Sequence, residues 1–174
     1  PAAPSLILKR TASKQLCFTS LPPYGPAVSA VRWGESGPVG LACFGPLDID
    51  PRSPTHGRLL ATPKPGLPEF DVVGALRDGL EAPVSFHTDV VAAALGEWKH
   101  GAARGARSVL YLTVGTGVGG GALIDGVPIG GAAHPEMGHV AVRRERGDRF
   151  PGVCPFHGDC LEGLVSGPAI EKRA

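Results

Sequence analysis

The sequence predicts an α/β protein, and three observations carry that expectation. A helical pattern over residues 70–80 is followed by a strand-like run at 83–86. A second helical pattern opens at Asp89 and leads to another strand-like run at 108–114. A glycine-rich segment and the dipeptide Asp125-Gly126 then turn the chain back on itself as an antiparallel meander. A chain of 174 residues is long enough for one good core or for two small lobes sharing a cleft.

Taken in order, residues 1–36 mix weak apolar runs with PPYGP and hold no sustained period, so no element is assigned there. Residues 39–44 read as a buried strand that stops at Gly45 and Pro46, and residues 46–67 as a long Pro- and Ser-containing loop. Loops of that length in compact domains usually have a task. In the helix over 70–80, Val72, Val73, Leu76 and Leu80 share one face. The stretch VVAAALGEWKHGAA after Asp89 places Val90, Ala94, Leu95 and Trp98 at helical spacing.

GTGVGGG is expected to be a tight turn, with 122–124 returning as a strand and Asp125-Gly126 forming a type I′ hairpin into a third strand. From residue 134 to Leu161 a polar, ligand-rich excursion replaces regular structure. Ser166, Gly167 and Pro168 then start a final helix, serine as the cap and proline in the first turn. A chain that begins with Pro1 and stops inside that helix is expected to be a fragment or a processed product. No internal repeat is found.

Hydrophobic content of 43%, charged content of 19% and a formal net charge of +1 describe an ordinary globular protein without the field needed to hold a polyanion, so no nucleic-acid partner is expected. Apolar runs are broken well before the roughly 20 residues of a bilayer span, so no membrane partner is expected either. The start lacks a secretory pattern, and a cytoplasmic, reducing setting follows as the default. The 26 glycines crowd into particular segments, chiefly 115–138, which points to local function.

HPEMGH and CPFHGDC concentrate metal-ligand chemistry between residues 134 and 160. Cys154, His157 and Cys160, spaced three and three apart, let one tight turn aim three side chains at one centre, and His139 supplies a fourth from across the loop. Two thiolates neutralise one Zn²⁺. Four protein ligands leave no open position for water, so the expected zinc is structural. The competing reading leaves Cys154 and Cys160 as free thiols. Cys43, inside VGLACFG, reads as a buried small hydrophobe.

In TVGTGVGGG a strand runs into a segment with glycine at 115, 117, 119, 120 and 121, where backbone N–H groups can approach a ligand closely, with Thr113 and Thr116 adding hydroxyls. This suits a phosphate, although it is neither a Walker A sequence nor a dinucleotide fingerprint. Plain turn chemistry is the alternative. Asp89, between strand and helix, is either an N-cap or a functional carboxylate. Glu136 and Glu162 flank the metal cluster, and carboxylates converging on a cleft are what a polyhydroxylated ligand such as a sugar requires.

At this point the stretches SGPVGLACFGPLDIDPRSPTHGRLLATPKPGL, HTDVVAAALGEW, YLTVGTGVGGGALIDG, HPEMGH and GVCPFHGDCLEGLVSGPAIE together resemble the fructokinase branch of the ROK sugar kinases (repressors, open reading frames, kinases). The resemblance runs from about residue 37 to the C-terminus. It implies an actin-like, hexokinase-like (ribonuclease H-like) fold of two α/β lobes with sugar and MgATP meeting between them. On that basis residues 1–36 form a divergent N-terminal segment. Residues 37–105 form the remainder of the N-terminal lobe, and 106–174 the start of the C-terminal lobe with the glycine loop and the zinc loop.

The resemblance also implies an ATP-dependent transfer of the γ-phosphate to the 6-hydroxyl of fructose or a related hexose, with Mg²⁺ accompanying ATP. Asp89 matches the family's general base. Thr88, Glu136, His139 and Glu162 match the sugar site, His139 with one ring nitrogen on zinc and the other toward the sugar. Thr113, Gly115, Thr116, Gly117, Gly119 and Gly120 match the second phosphate motif. A homodimer is the candidate assembly.

Three departures accompany these matches. Nothing in residues 1–36 resembles the family's DxGGTK-type phosphate loop. The family continues past the SGPAIE helix into a part that cradles adenine. Val91 stands where the family usually carries Asn. The competing readings are a non-catalytic sugar-binding or sensing fragment and a fragment that does not fold cooperatively.

Overall fold

The computed structural model describes residues 8–10, 16–18, 28–32, 37–61, 69–80, 82–130 and 135–174. The described residues fall into two compact units. One holds those up to Ala92 together with Gly130, the other Ala93–Ile129 and Pro135–Ala174.

In the first unit, β1 (Leu8–Arg10) pairs antiparallel with β2 (Leu16–Phe18). A second sheet has the order β3 (Val28–Arg32), β4 (Val39–Cys43), β5 (Val84–Thr88). β3 and β4 are antiparallel, with Ala30 opposite Leu41. β4 and β5 are parallel, with Leu41 opposite Phe86 and Cys43 opposite Thr88. Three strands thus lie among the described residues of 1–36, where the sequence alone assigns none. Runs of three to five residues carry too little periodicity to register, and they become strands here by pairing with neighbours.

β4 alternates as its position at the core requires: Val39, Leu41 and Cys43 are buried while Gly40 is exposed. Parallel pairing with β5 needs a long crossover, supplied by the 46–61 segment and by α1 (Val72–Leu80). Val72, Val73 and Leu76 of α1 pack on the same core as Leu47 and Leu59. The side chain of Leu80 lies outside the described residues. The helix begins two positions later than its expected start at Phe70.

The described part of the long loop, 46–61, is folded on itself rather than open. Leu47 bridges Leu59, Asp48 N–H donates to the Arg58 carbonyl at 2.9 Å, and Gly57 N–H donates to the Asp48 carbonyl at 2.8 Å. Residues 62–67 of that expected loop lie outside the described residues, as does His134.

α2 (Asp89–His100) starts directly after β5 and has its acidic residue in the first turn and Lys99 and His100 in the last, the arrangement that complements the helix dipole. The second unit is built on an antiparallel meander of β6 (Ser108–Val114), β7 (Val118–Ile124) and β8 (Val127–Pro128). Asp125 and Gly126 both take positive φ, 49° and 79°, as the expected type I′ hairpin requires.

The glycine segment departs from expectation. Only residues 115–117 turn, and Val118, Gly119, Gly120 and Gly121 already belong to β7, opposite Val114, Thr113, Leu112 and Tyr111. A packing reason is visible at Gly120, where a Cβ would stand 2.7 Å from Met137 Cβ. The missing side chain at Gly120 lets the 3-10 turn Met137–His139 lie against the strand.

After that turn the chain runs irregularly to α3 (Leu161–Val165) and α4 (Gly167–Arg173). Ser166 occupies the N-cap of α4 with Pro168 in the first turn, but its side chain makes no capping hydrogen bond. Ser166 is buried, and the α4 backbone is anchored instead by Gly167 N–H, which donates to the Gly115 carbonyl at 2.7 Å. Among the described residues no helix is long and apolar enough to cross a membrane.

Candidate functional site

The CPFHGDC loop is a local turn before it is anything else. Cys154 N–H donates to the Gly158 carbonyl at 3.2 Å and Gly158 N–H returns to the Cys154 carbonyl at 2.9 Å, with Gly158 at φ 65°. Asp159 N–H donates to the His157 carbonyl at 2.7 Å, and the isolated Ala141–Cys160 bridge ties the loop's end to the segment after the 3-10 turn. This double closure holds Cys154, His157 and Cys160 close together, with His139 among them.

Donor atoms of His139, Cys154, His157 and Cys160 lie within 4.8 Å of one another. His139 Nδ1 is 3.6 Å from Cys154 Sγ and 3.5 Å from Cys160 Sγ, and His157 Nδ1 is 3.8 Å from Cys154 Sγ. Zn–S bonds of about 2.3 Å and Zn–N bonds of about 2.0 Å in a tetrahedron put neighbouring sulfur and nitrogen donors about 3.5 Å apart, so the spacing fits a zinc ion. Both cysteines are buried, His139 is half-buried and His157 is exposed. Burial pushes the Cys160 thiol up, and the neighbouring Cys154 sulfur adds to the effect. A divalent cation among these donors reverses that preference, because it favours the thiolate.

His139 turns Nδ1 to the sulfurs, which leaves Nε2 as its second functional nitrogen. Glu136, just before the 3-10 turn, holds a left-handed conformation at φ 46° and ψ 47° and is exposed. Glu136 and His139 line one cavity of about 520 Å³ with Leu110, Leu112, Val140 and Leu161. A slightly larger cavity of about 570 Å³, lined by Trp98, Lys99, Arg104, Arg107 and Asp125, holds none of the predicted site residues.

Glu162, the second residue of α3, is half-buried, and its Oε2 accepts a hydrogen bond from Val118 N–H at 2.9 Å. A Cβ at Gly117 would stand 2.7 Å from that same oxygen. The carboxylate therefore rests on the glycine turn itself. The turn's other side is held by the Gly167–Gly115 bond, so α3 and α4 together fix residues 115–118. Thr113 lies in β6 opposite Gly119, and Thr116 sits in the turn; both are exposed. Gly119 and Gly120, expected in a phosphate-binding loop, are paired strand residues.

Asp89 and Thr88 belong to the first unit. Asp89 is exposed, and its Oδ1 accepts a hydrogen bond from Val90 N–H at 2.9 Å. Thr88, at the end of β5, is 1% exposed, and its Oγ1 is buried with no hydrogen-bond partner among the described residues. Val91, which stands where an Asn is expected, is 2% exposed and packs as a core residue.

Two polar clusters escaped the sequence analysis. Asp48 is 4% exposed and accepts hydrogen bonds from Ser53 Oγ at 2.5 Å, Thr55 Oγ1 at 2.6 Å and Asp50 N–H at 3.1 Å. The spacing of Asp, Asp, Ser and Thr over 48–55 is an Asx-turn signal that could have revealed it. In the second unit, Arg173 grips Asp148 through two bonds of 2.8 and 3.2 Å and stacks on Phe150. Arg144 bonds the Phe150 carbonyl and Asp159, next to Cys160.

Among known proteins, a fructokinase of Zymomonas mobilis is 53% identical over 135 residues, covering 77% of this chain and 45% of its own. A fructokinase of Lactococcus lactis is 48% identical over 136 residues, covering 78% of this chain and 46% of its own. The chain thus spans about half the length of the curated relatives it matches. A ROK family glucokinase from Streptomyces griseus, solved in complex with glucose and AMPPNP, is 27% identical with a TM-score of 0.57 over 75% of this chain and 40% of that one. The α/β architecture is accordingly the actin-like, hexokinase-like fold that the sequence led us to expect. With residues 29–174 matched to it, the chain belongs to the ROK family.

Proposed function

We propose that this chain carries the sugar-holding, zinc-ordered portion of an ATP-dependent fructokinase, which moves the γ-phosphate of ATP to the 6-hydroxyl of fructose. The observation that carries the reading is the convergence, in one unit, of the four-donor cluster, His139 included, with Glu162 and the glycine turn. Its identity to fructokinases from two organisms supports fructose over other hexoses.

In this reading Glu136, His139 Nε2 and Glu162 Oε1 take sugar hydroxyls, each of which needs a partner once it leaves water. Asp89 accepts the proton of the 6-hydroxyl as its oxygen forms a bond to the γ-phosphorus and the bond from that phosphorus to the ADP oxygen breaks. Backbone N–H groups of residues 115–117, with the Thr113 and Thr116 hydroxyls, serve the phosphoryl oxygens. His139, Cys154, His157 and Cys160 would hold a structural zinc, which supplies order to the loop and no reacting group. Mg²⁺ arrives with ATP and screens its phosphate charge. Two buried reduced thiols as ligands fit a cytoplasmic setting. A homodimer remains the candidate assembly.

The test is ADP release from MgATP by zinc-replete protein with and without fructose. Fructose-dependent release is the expected result. Fructose binding without any release would assign this chain to sugar binding alone.

A further inference from the structure

We propose that Glu162 is a positioning residue that couples sugar occupancy to the order of the phosphate turn, through the Val118 peptide groups. The inference rests on the fructokinase reading above and names a regulation of the same site.

Val118 is the residue by which the chain leaves the turn and enters β7. Its N–H donates to Glu162 Oε2 at 2.9 Å. Its carbonyl faces Gly138 of the EMGH motif so closely that a Cβ there would stand 1.8 Å from the oxygen. Both motifs assigned to the sugar therefore meet the backbone of one residue at the exit of the turn. A Cβ at Gly117 would stand 2.7 Å from Glu162 Oε2, so the bare turn leaves that carboxylate its place beside the backbone.

Glu162 has the right chemistry for a two-sided contact. An ionised carboxylate is an acceptor at both oxygens. Oε2 is committed to the turn, and Oε1 has no hydrogen-bond partner among the described residues. A sugar hydroxyl donating to Oε1 fixes the torsions of the side chain, so less entropy is lost in keeping Oε2 on Val118 N–H. The sugar then orders the turn before phosphate arrives. By linkage, a ligand that needs the ordered turn binds more tightly when sugar is present.

Amide hydrogen exchange on the whole zinc-loaded chain, with and without fructose and with calorimetry of fructose binding in parallel, tests this. Fructose is expected to slow exchange at Val118 by about tenfold, within the usual range of site-to-site coupling, and to slow Leu123 in the same strand much less. Glu162→Gln, which keeps the side chain's shape but leaves one acceptor oxygen for two donors, is expected to lose most of that response. Glu162→Ala should lose all of it. A merely structural Glu162 would change the basal exchange of Val118 without making it depend on fructose.

If fructose binds and Val118 does not respond, or if β7 slows uniformly as global stabilisation demands, the coupling is overturned while the sugar site stands. A full response in Glu162→Gln also overturns it. Absence of fructose binding in the calorimeter overturns the fructokinase reading and the coupling together.

Discussion

Gly138 lies directly against Val118: a Cβ at Gly138 would stand 1.8 Å from the Val118 carbonyl oxygen. The obstructing atom is backbone in a paired strand, so no rotamer change relieves it. Gly138→Ala must push the 3-10 turn off β7 and take the neighbouring His139 away from Cys154 and Cys160. Overpacking of this kind costs about 2–3 kcal/mol. The expected outcome is a loss of that size in denaturant unfolding together with faster zinc loss to a chelator. Wild-type stability and metal retention in the variant would mean that the turn moves freely past the strand.

The donor cluster makes a separate prediction. The loop from residue 141 to 160 is mostly irregular, and it is held by a few backbone bonds, by Arg144 and Arg173 on Asp148, Phe150 and Asp159, and by the groups that meet at the four donors. Without a metal, two buried thiols and two imidazoles face one another with little to hold them, and metal binding free energy is folding free energy in such loops. Cys154→Ser should reduce bound zinc from about one per chain toward none, and lower both the melting temperature and sugar affinity. Elemental analysis and calorimetry read the two effects. Full zinc content in the variant would remove Cys154 from the ligand set.

Much of this site is legible in the sequence because its information is local. Three ligands within seven residues specify a centre without any knowledge of the fold, and His139 needs only one further loop. α1 and α2 are legible for a similar reason, since each carries its own helical period, and β4 and β5 are legible as short apolar runs next to Gly or Pro. The glycine segment misleads because composition suggests a turn wherever glycine is dense, whereas Gly119, Gly120 and Gly121 are strand residues, Gly120 packed closely against Met137. β3 is lost because its pairing with β4 is a tertiary fact about a five-residue run. Glu162 on Val118 could not be read at all: the partner is a backbone N–H, 44 residues away, and no residue type announces it.

Asp48 predicts a pH dependence. Hydrogen bonds from the Ser53 and Thr55 hydroxyls, the Ser53 bond foremost, hold its carboxyl below the usual carboxylate range despite burial. A pKa depressed by folding stabilises the native state above the unfolded value of about 3.9, and that contribution is lost as pH falls through the folded value. Stability should thus drop below about pH 4, with Asp50, held down to about 2 chiefly by the Arg52 side chain, titrating on the same acid limb. Asp48→Asn should flatten that limb only in part. Asp48→Ala, which leaves two hydroxyls without their acceptor, should cost about 2–3 kcal/mol at neutral pH in urea unfolding. An unchanged acid limb in Asp48→Asn would show that other carboxylates set it.

Asp89 is the sharpest test of catalysis, because its surroundings separate its chemistry from its structural part. It is exposed, and among the described residues its one side-chain bond is to the N–H of the next residue in the first turn of α2. Asparagine preserves that acceptor oxygen and is an adequate residue at a helix start, so Asp89→Asn should fold with stability close to wild type. Asparagine cannot take a proton from a hydroxyl. If Asp89 is the general base, fructose-dependent ADP release should fall by about 10²- to 10⁴-fold while fructose affinity in the calorimeter changes little. Loss of both would point to a binding role for the carboxylate, and unchanged turnover would remove it as the base. The neighbouring Val91 sharpens the comparison. It is 2% exposed, so Val91→Asn would bury an amide and is expected to destabilise the fold by about 1–3 kcal/mol unless that amide finds partners. Stability retained in Val91→Asn would reveal polar partners already in reach of that position, beside the reacting centre that Asp89 is proposed to serve.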